Sequence, residues 1–74
     1  MKLNAVMKQL NPHSIVEIID NRNTRIFYGY AGIFKSGWPF NNKNVAEINP
    51  FLAEVGDNEF EPAVQIRISE ILHG

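Results

Sequence analysis

The chain contains no cysteine, and this absence limits how a polypeptide of 74 residues can be stabilised. A chain of this length buries only about 60% of the surface that its unfolded form exposes, so its core is marginal by itself. Small domains compensate with disulfides, a structural metal or self-association. Disulfides are excluded, and a zinc site is disfavoured because its only nitrogen ligands would be His13 and His73. We therefore expect one domain, residues 1–74, without metal or cofactor, and favour a homo-oligomer over an unusually good core.

Hydrophobic periodicity predicts one helix and four strands. Leu3, Val6, Met7 and Leu10 form an apolar stripe at helical spacing, which predicts a helix over 2–10 that ends before Pro12. Runs of β-branched or alternating residues predict strands at 15–20, 25–30, 45–48 and 63–71. Both faces of the first strand are largely apolar, which is typical of a central strand. Gly29, inside the second strand, suggests a bulge or the close approach of another backbone.

The connections are less regular. Asp20 to Thr24 predicts a turn between the first two strands, because Asp and Asn tolerate turn conformations. Residues 31–37 fit either a short helical turn capped by Gly37 or a loop, and Pro39 argues against a central strand at 38–40. Asn49-Pro50 is expected to end the third strand. Residues 51–54 fit a helical turn or an extended edge, and 55–62 an acidic loop. Without a long crossover helix, we expect an α+β fold with a short N-terminal helix packed on a four-stranded antiparallel sheet.

Charge is divided unevenly along the chain. Residues 1–44 carry six Lys or Arg and two Asp or Glu, whereas 45–74 carry one Arg and six Asp or Glu. The two halves could neutralise each other in the fold, or form a bipolar surface that steers a charged partner. Because the chain lacks an excess of basic residues, we expect no stable duplex DNA binding. Without a membrane-length apolar run or a secretion-signal pattern, we expect a cytoplasmic protein.

Motifs that would indicate catalysis are missing from the sequence. The glycines do not have the spacing of a phosphate-binding loop, and His13 beside Ser14 cannot form a nucleophile and base from adjacent positions. Since general acid–base catalysis needs a poised group in a cleft, we expect a binding protein and no enzyme.

Aromatic and basic residues are interleaved in the first two thirds of the chain. Seven of the eight aromatic residues lie between Phe27 and Phe51, with Arg and Lys around them. Aromatic faces stack on bases and cations neutralise phosphates, so this segment is either the core or a nucleotide-binding surface. The candidate ligand residues are Arg22, Arg25, Tyr28, Tyr30, Lys35, Trp38 and Lys43.

Carboxylates are concentrated in the second half, at Glu54, Asp57, Glu59 and Glu61. Their spacing lacks the register of a calcium-binding loop. A solvated loop is the simpler interpretation, and a surface that imitates nucleic-acid phosphates is the functional one. In that second case these residues would contact a partner protein.

The N-terminal two thirds resembles short uncharacterised proteins encoded by bacteriophages and prophages of Gram-positive bacteria. The resemblance is carried by Met1-Lys2-Leu3, Val6, Asn11-Pro12 and Val16-Glu17-Ile18, followed by Tyr28-Gly29 and Val45-Ala46-Glu47-Ile48. It implies a protein of the host bacterial cytoplasm, and small phage accessory proteins of this kind often antagonise host defence. It supplies no catalytic residues and does not extend to 32–40.

Three functional hypotheses follow. The first is an oligomer that sequesters a small (cyclic) nucleotide signal at the aromatic and basic residues. The second is a protein–protein inhibitor, similar in action to anti-CRISPR proteins, whose acidic loop blocks a nucleic-acid-binding site of a host defence protein. The third is a virion-assembly module.

Overall fold

The computed structural model describes residues 1–33 and 42–69. It contains helix α1 (Leu3–Gln9), strands β1 (Ile15–Ile19) and β2 (Arg25–Tyr30), a single 3₁₀ turn (Ala31–Ile33), and strands β3 (Val45–Gly56) and β4 (Glu59–Ile68). The predicted order of one helix and four strands is therefore confirmed, as is the α+β class. Residues 34–41, which contain most of the predicted irregular connection, lie outside the described residues. So do residues 70–71, the predicted end of the last strand.

The sheet is mixed, so the prediction of an entirely antiparallel sheet was wrong. Its order is β2-β1-β4-β3, with β1 antiparallel to β2, β4 antiparallel to β3, and β1 parallel to β4. The prediction assumed that a parallel pair needs a crossover helix. Here the chain between β1 and β4 contains β2 and β3 themselves, so two hairpins lie side by side with β1 and β4 in the centre. The central position predicted for β1 is confirmed.

Helix α1 covers one face of the sheet. Leu3, Val6 and Met7 pack with residues of one face of β1 and β4, which are Val16, Ile18, Ile66 and Ile68. Phe27 of β2 joins this cluster, and Tyr28 and Tyr30 lie on the opposite face, as the alternation predicts. The N-terminus is tied to the start of β3, because the Leu3 N–H donates to the Lys43 carbonyl at 2.9 Å and the Val45 N–H donates to the Met1 carbonyl at 2.8 Å.

Strand β3 is much longer than predicted and continues through Pro50 to Gly56. The proline is tolerated because β3 is an edge strand, where one side of the backbone needs no ladder hydrogen bond. The acidic segment that we expected to be a loop is a β-hairpin: Gly56 pairs with Glu59, and Asp57 and Asn58 make the turn, with Asn58 at a φ of 57°. Residues 51–54 are thus extended, one of the two alternatives that their sequence left open.

The β3–β4 hairpin extends beyond β1. Strand β1 pairs with β4 only from Ala63 onwards, so in residues 52–62 the two strands pair only with each other within the sheet. This also explains Pro62, which lies in β4 at a position where β1 provides no neighbour. We call residues 52–62 the projecting hairpin.

Candidate functional site

The face of the sheet opposite α1 carries a polar network across all four strands. Glu17 of β1 lies between Tyr28 of β2 and Gln65 of β4, which in turn pairs with Asn49 of β3. Gln65 Nε2 donates to Glu17 Oε1 at 2.7 Å, and Arg25 Nε donates to Glu17 Oε2 at 2.8 Å. These contacts lower the pKa of Glu17, the Gln65 hydrogen bond most and then that from Arg25, while partial burial opposes the shift.

A second group in this network surrounds Arg67. Its Nε donates to Glu47 Oε1 at 2.9 Å, and its Nη1 donates to Asn23 Oδ1 at 2.7 Å and to the Asp20 carbonyl at 3.2 Å. Arg67 therefore connects β4 to β3 and to the β1–β2 turn. Asn49 and then Arg67 lower the pKa of Glu47 by hydrogen bonding to its carboxylate.

The predicted turn after β1 is confirmed, and Asp20 organises it. Asp20 Oδ1 accepts hydrogen bonds from the Arg22 N–H at 2.8 Å and the Thr24 N–H at 2.9 Å. These two backbone donors, Thr24 first, lower the pKa of Asp20. Asn23 adopts a φ of 64°, which Asn tolerates better than most residues.

Three of the candidate ligand residues come together on β2. The Arg25 guanidinium carbon lies 4.7 Å from the centroid of the Tyr28 ring, which is a cation–π contact. Tyr28 and Tyr30 are 43% and 47% exposed, so both offer a ring edge or face to solvent. However, the positive charge of Arg25 is already compensated by Glu17, whose carboxylate is 2.7 Å from Arg25 Nη2.

The other candidates are dispersed. Arg22 lies in the β1–β2 turn, at the end of the same hairpin. Lys43 lies beside the start of α1, near the β3 edge, and β2 forms the opposite edge of the sheet. Lys35 and Trp38 lie outside the described residues. The described part of the chain therefore assembles only Arg25, Tyr28 and Tyr30 on one strand.

The described aromatic residues of this segment divide between core and surface, and Phe34, Trp38 and Phe40 lie outside the described residues. Phe27 is buried among the residues that α1 covers, and Phe51 packs against a smaller cluster on the opposite face, formed by Ile15, Ala53 and Ala63. Of the two alternatives for this segment, core packing thus describes Phe27 and surface exposure describes the tyrosines.

All four candidate acidic residues lie on the projecting hairpin. Glu54, Asp57, Glu59 and Glu61 are exposed, and none of them forms an ion pair with a residue of the described ranges. Both ion pairs found there, Arg25–Glu17 and Arg67–Glu47, belong to the polar network. The hairpin therefore concentrates uncompensated negative charge at one end of a domain 42 Å long.

Sequence reasoning missed the apolar residues of the same hairpin. Leu52 is 67% exposed and Phe60 is 55% exposed, and Val55 is 43% exposed beside the turn. The signal was available in the alternation of Phe60, Pro62 and Val64, which places all three on one face once 59–62 is read as strand.

The described residues contain no group of three His, Cys, Asp or Glu side chains that could hold a metal ion. His13 is exposed, and its backbone N–H donates to Asn11 Oδ1 at 2.9 Å. In the same two ranges, no helix is long and apolar enough to cross a membrane.

Comparisons with family models, with curated proteins and with solved structures found no match to this chain. Its function must therefore be argued from the geometry above.

Proposed function

We propose that this chain is a non-enzymatic binding protein that contacts a partner protein through the projecting hairpin. The carboxylates of Glu54, Asp57, Glu59 and Glu61 would take the place of phosphates on a cationic nucleic-acid-binding surface. The observation that carries the proposal is that all four are exposed on one projecting element, with no cation of the described ranges paired to them. Leaving like charges close together costs stability, and a cationic partner would recover that cost.

The resemblance to phage-encoded accessory proteins suggests which partner to test. A host defence protein that binds DNA or RNA has the required cationic channel, since it must neutralise backbone phosphates. Antagonism of host defence is thus the biological role that we propose for this interaction.

The test is competition for nucleic acid. A labelled oligonucleotide is bound to each of a panel of purified defence nucleases, and its displacement by the chain is followed by fluorescence anisotropy. We expect displacement from at least one nuclease. The variant E54Q/D57N/E59Q/E61Q should compete roughly tenfold or more weakly, about 1.4 kcal/mol.

The control is K2Q, because Lys2 forms a bridge with Asn44 just before β3, at the end of the sheet away from the projecting hairpin. This variant should compete like the original protein. Equal competition by the neutralised hairpin variant, or no displacement from any nuclease, would refute the proposal.

A second candidate function is nucleotide binding at β2. It is supported by the half-exposed Tyr28 and Tyr30 beside Arg25, because aromatic rings stack on bases. Its weakness is Glu17, which would repel a phosphate placed on Arg25. If the domain is an oligomer, a second subunit could supply additional cations at such a site.

Thermal melts against linear and cyclic nucleotides test this second function. A nucleotide at a hundredfold excess over its Kd stabilises the folded state by about 2.7 kcal/mol. In a domain of this size, we expect an increase in Tm of about 11–22 °C. The increase should disappear in Y28A but persist in N49A, on the β3 side of the sheet. If no nucleotide raises the Tm, this candidate is excluded.

A further inference from the structure

Leu52 and Phe60, the two most exposed apolar residues of the projecting hairpin, lie on one face of it. Val55, which is less exposed, follows Glu54 at the irregularity beside the turn. Cross-strand pairing places Leu52 beside Pro62, and Glu54 beside Phe60, on the face that carries α1. On the opposite face of the hairpin, Ala53 is only 2% exposed. A two-stranded ribbon is marginally stable in water unless one face packs against something. The α1-side face of the hairpin is thus the one that remains to be covered.

Helix α1 covers the same face of the sheet up to the base of the hairpin. It ends at Gln9, and the next residue, Leu10, lines a pocket of about 230 Å³ with Ser14, Pro50, Pro62 and Val64. Beyond this pocket the same face continues to Leu52 and Phe60, which are more than half exposed. The helical layer therefore stops where the exposed apolar surface begins.

The spacing of this surface matches a second helix. Its rows are Pro50 with Val64, Leu52 with Pro62, and Glu54 with Phe60. Successive rows are two residues apart along the strands, which is about 6.7 Å. Residues i and i+4 of a helix are about 6 Å apart along its axis and lie on one side. A helix with apolar residues at i, i+4 and i+8, which span about 12 Å, can therefore contact all three rows.

A second copy of the chain fits this surface poorly. Pairing hairpin with hairpin would bring two sets of four carboxylates together, and like charges repel. Pairing the hairpin with α1 of another copy would set apolar residues against the exposed Ala5, Lys8 and Gln9. A cationic partner avoids both problems, since its charges would face Glu54 and the carboxylates of the turn.

We propose that the α1-side face of the projecting hairpin binds a basic amphipathic helix of the partner protein. This inference rests on the proposed function and adds the form of the partner. One apolar side chain of the helix enters the pocket beside Leu10, and others pack on Leu52 and Phe60. Its Lys or Arg residues pair with Glu54 and with the acidic turn.

The probe is a synthetic peptide of about 18 residues with Leu at helical spacing and Lys elsewhere. A second peptide of identical composition, with the order shuffled to remove the apolar face, is the control. Fluorescence anisotropy gives the Kd of each. We expect the amphipathic peptide to bind the protein at least tenfold more tightly than the shuffled peptide does. We also expect its affinity for L52S and for F60S to be at least tenfold lower than its affinity for the original protein.

Two glutamates provide a matched comparison. E54Q and E61Q each remove one negative charge from the hairpin, but Glu54 pairs with Phe60 on the α1-side face and Glu61 pairs with Ala53 on the other. We expect E54Q to weaken binding of the amphipathic peptide severalfold more than E61Q. All four substitutions are at exposed positions, and circular dichroism verifies that the variants fold.

Equal binding of both peptides would overturn the proposal that the partner segment is an amphipathic helix. Equal effects of E54Q and E61Q would overturn the proposal that it binds the α1-side face. In that case the acidic hairpin could still displace nucleic acid, so the two proposals fail separately. Sedimentation of the protein alone adds a third outcome. A dimer that L52S dissociates would identify a second copy as the occupant and overturn the inference.

Discussion

Gly32 occupies a position where Pro12 leaves no room for a side chain. A Cβ atom built on Gly32 would lie 2.9 Å from Pro12 Cβ and 3.1 Å from its carbonyl oxygen. The Gly32 N–H donates to that same carbonyl at 2.9 Å, which holds the two segments together. The close approach that we expected at Gly29 is therefore found at Gly32. At Gly29 a Cβ would meet only the Phe27 ring, at 3.5 Å, and the bulge in this hairpin lies between Ile18 and Ile19.

The two glycines give a matched pair of substitutions. G32A should lower the free energy of unfolding by about 1–3 kcal/mol, because the methyl group forces the backbones apart. G29A should be neutral or stabilising by up to about 1 kcal/mol, because its Cβ makes an ordinary contact and the unfolded chain loses freedom. Urea denaturation of both variants measures the difference. A G32A protein as stable as G29A would contradict this account of the turn.

At the scale of elements, a residue's position in the sheet decides how much it contributes to the free energy of unfolding. Ile66 of the central strand β4 and Ile48 of the edge strand β3 pair directly on the α1 side. Ile66 is fully buried beneath α1, whereas Ile48 is 47% exposed. Two isoleucines in the same row thus have different surroundings, because only one of them lies under the helix.

We expect I66A to cost about 2–5 kcal/mol of unfolding free energy, the usual range for a buried isoleucine. I48A should cost less than about 1 kcal/mol. A domain of this length has a total stability of roughly 4–11 kcal/mol, so I66A could unfold it. I66V, expected to cost about 0.5–1.5 kcal/mol, then serves as the milder variant. Equal denaturation midpoints for I48A and I66A would show that α1 does not protect this row.

The two prolines in the β3–β4 hairpin also depend on their positions. Proline in a strand indicates an edge, and the sequence therefore suggested that β3 ended at Pro50 and that Pro62 belonged to a loop. Both residues are nevertheless in strands, Pro50 in an edge strand and Pro62 where β4 has passed the end of β1. The local rule was correct, but its consequence depended on which strands were neighbours.

For the molecule as a whole, the uneven charge along the sequence becomes an uneven distribution of charge over the fold. The basic half is partly neutralised by contacts across the sheet, since Glu17 pairs with Arg25 and both lie before residue 44. The single cation of the second half, Arg67, pairs with Glu47 of the same half. The four acidic residues of the hairpin form no ion pair with a residue of the two described ranges. In residues 1–33 and 42–69, neither ion pair joins one half of the chain to the other, so these contacts do not show the two halves neutralising each other. A bipolar surface that steers a charged partner stays a prediction.

The sequence by itself determined the helix, the number and order of the strands, the bounds of β1 and β2 to within one residue, and the central place of β1. These features depend on local periodicity and on the burial of both faces of one strand, which a linear pattern records directly. It also identified Asp20 to Thr24 as a turn, since Asp20 binds backbone groups only two and four residues away.

Only the tertiary structure decided which strands are neighbours. The parallel pairing of β1 with β4 joins residues 48 positions apart, such as Val16 with Val64, and no local pattern encodes that choice. The same pairing leaves the projecting hairpin without a third strand and its α1-side face exposed. The candidate site is thus a consequence of long-range pairing, and its carboxylates alone were visible in the sequence.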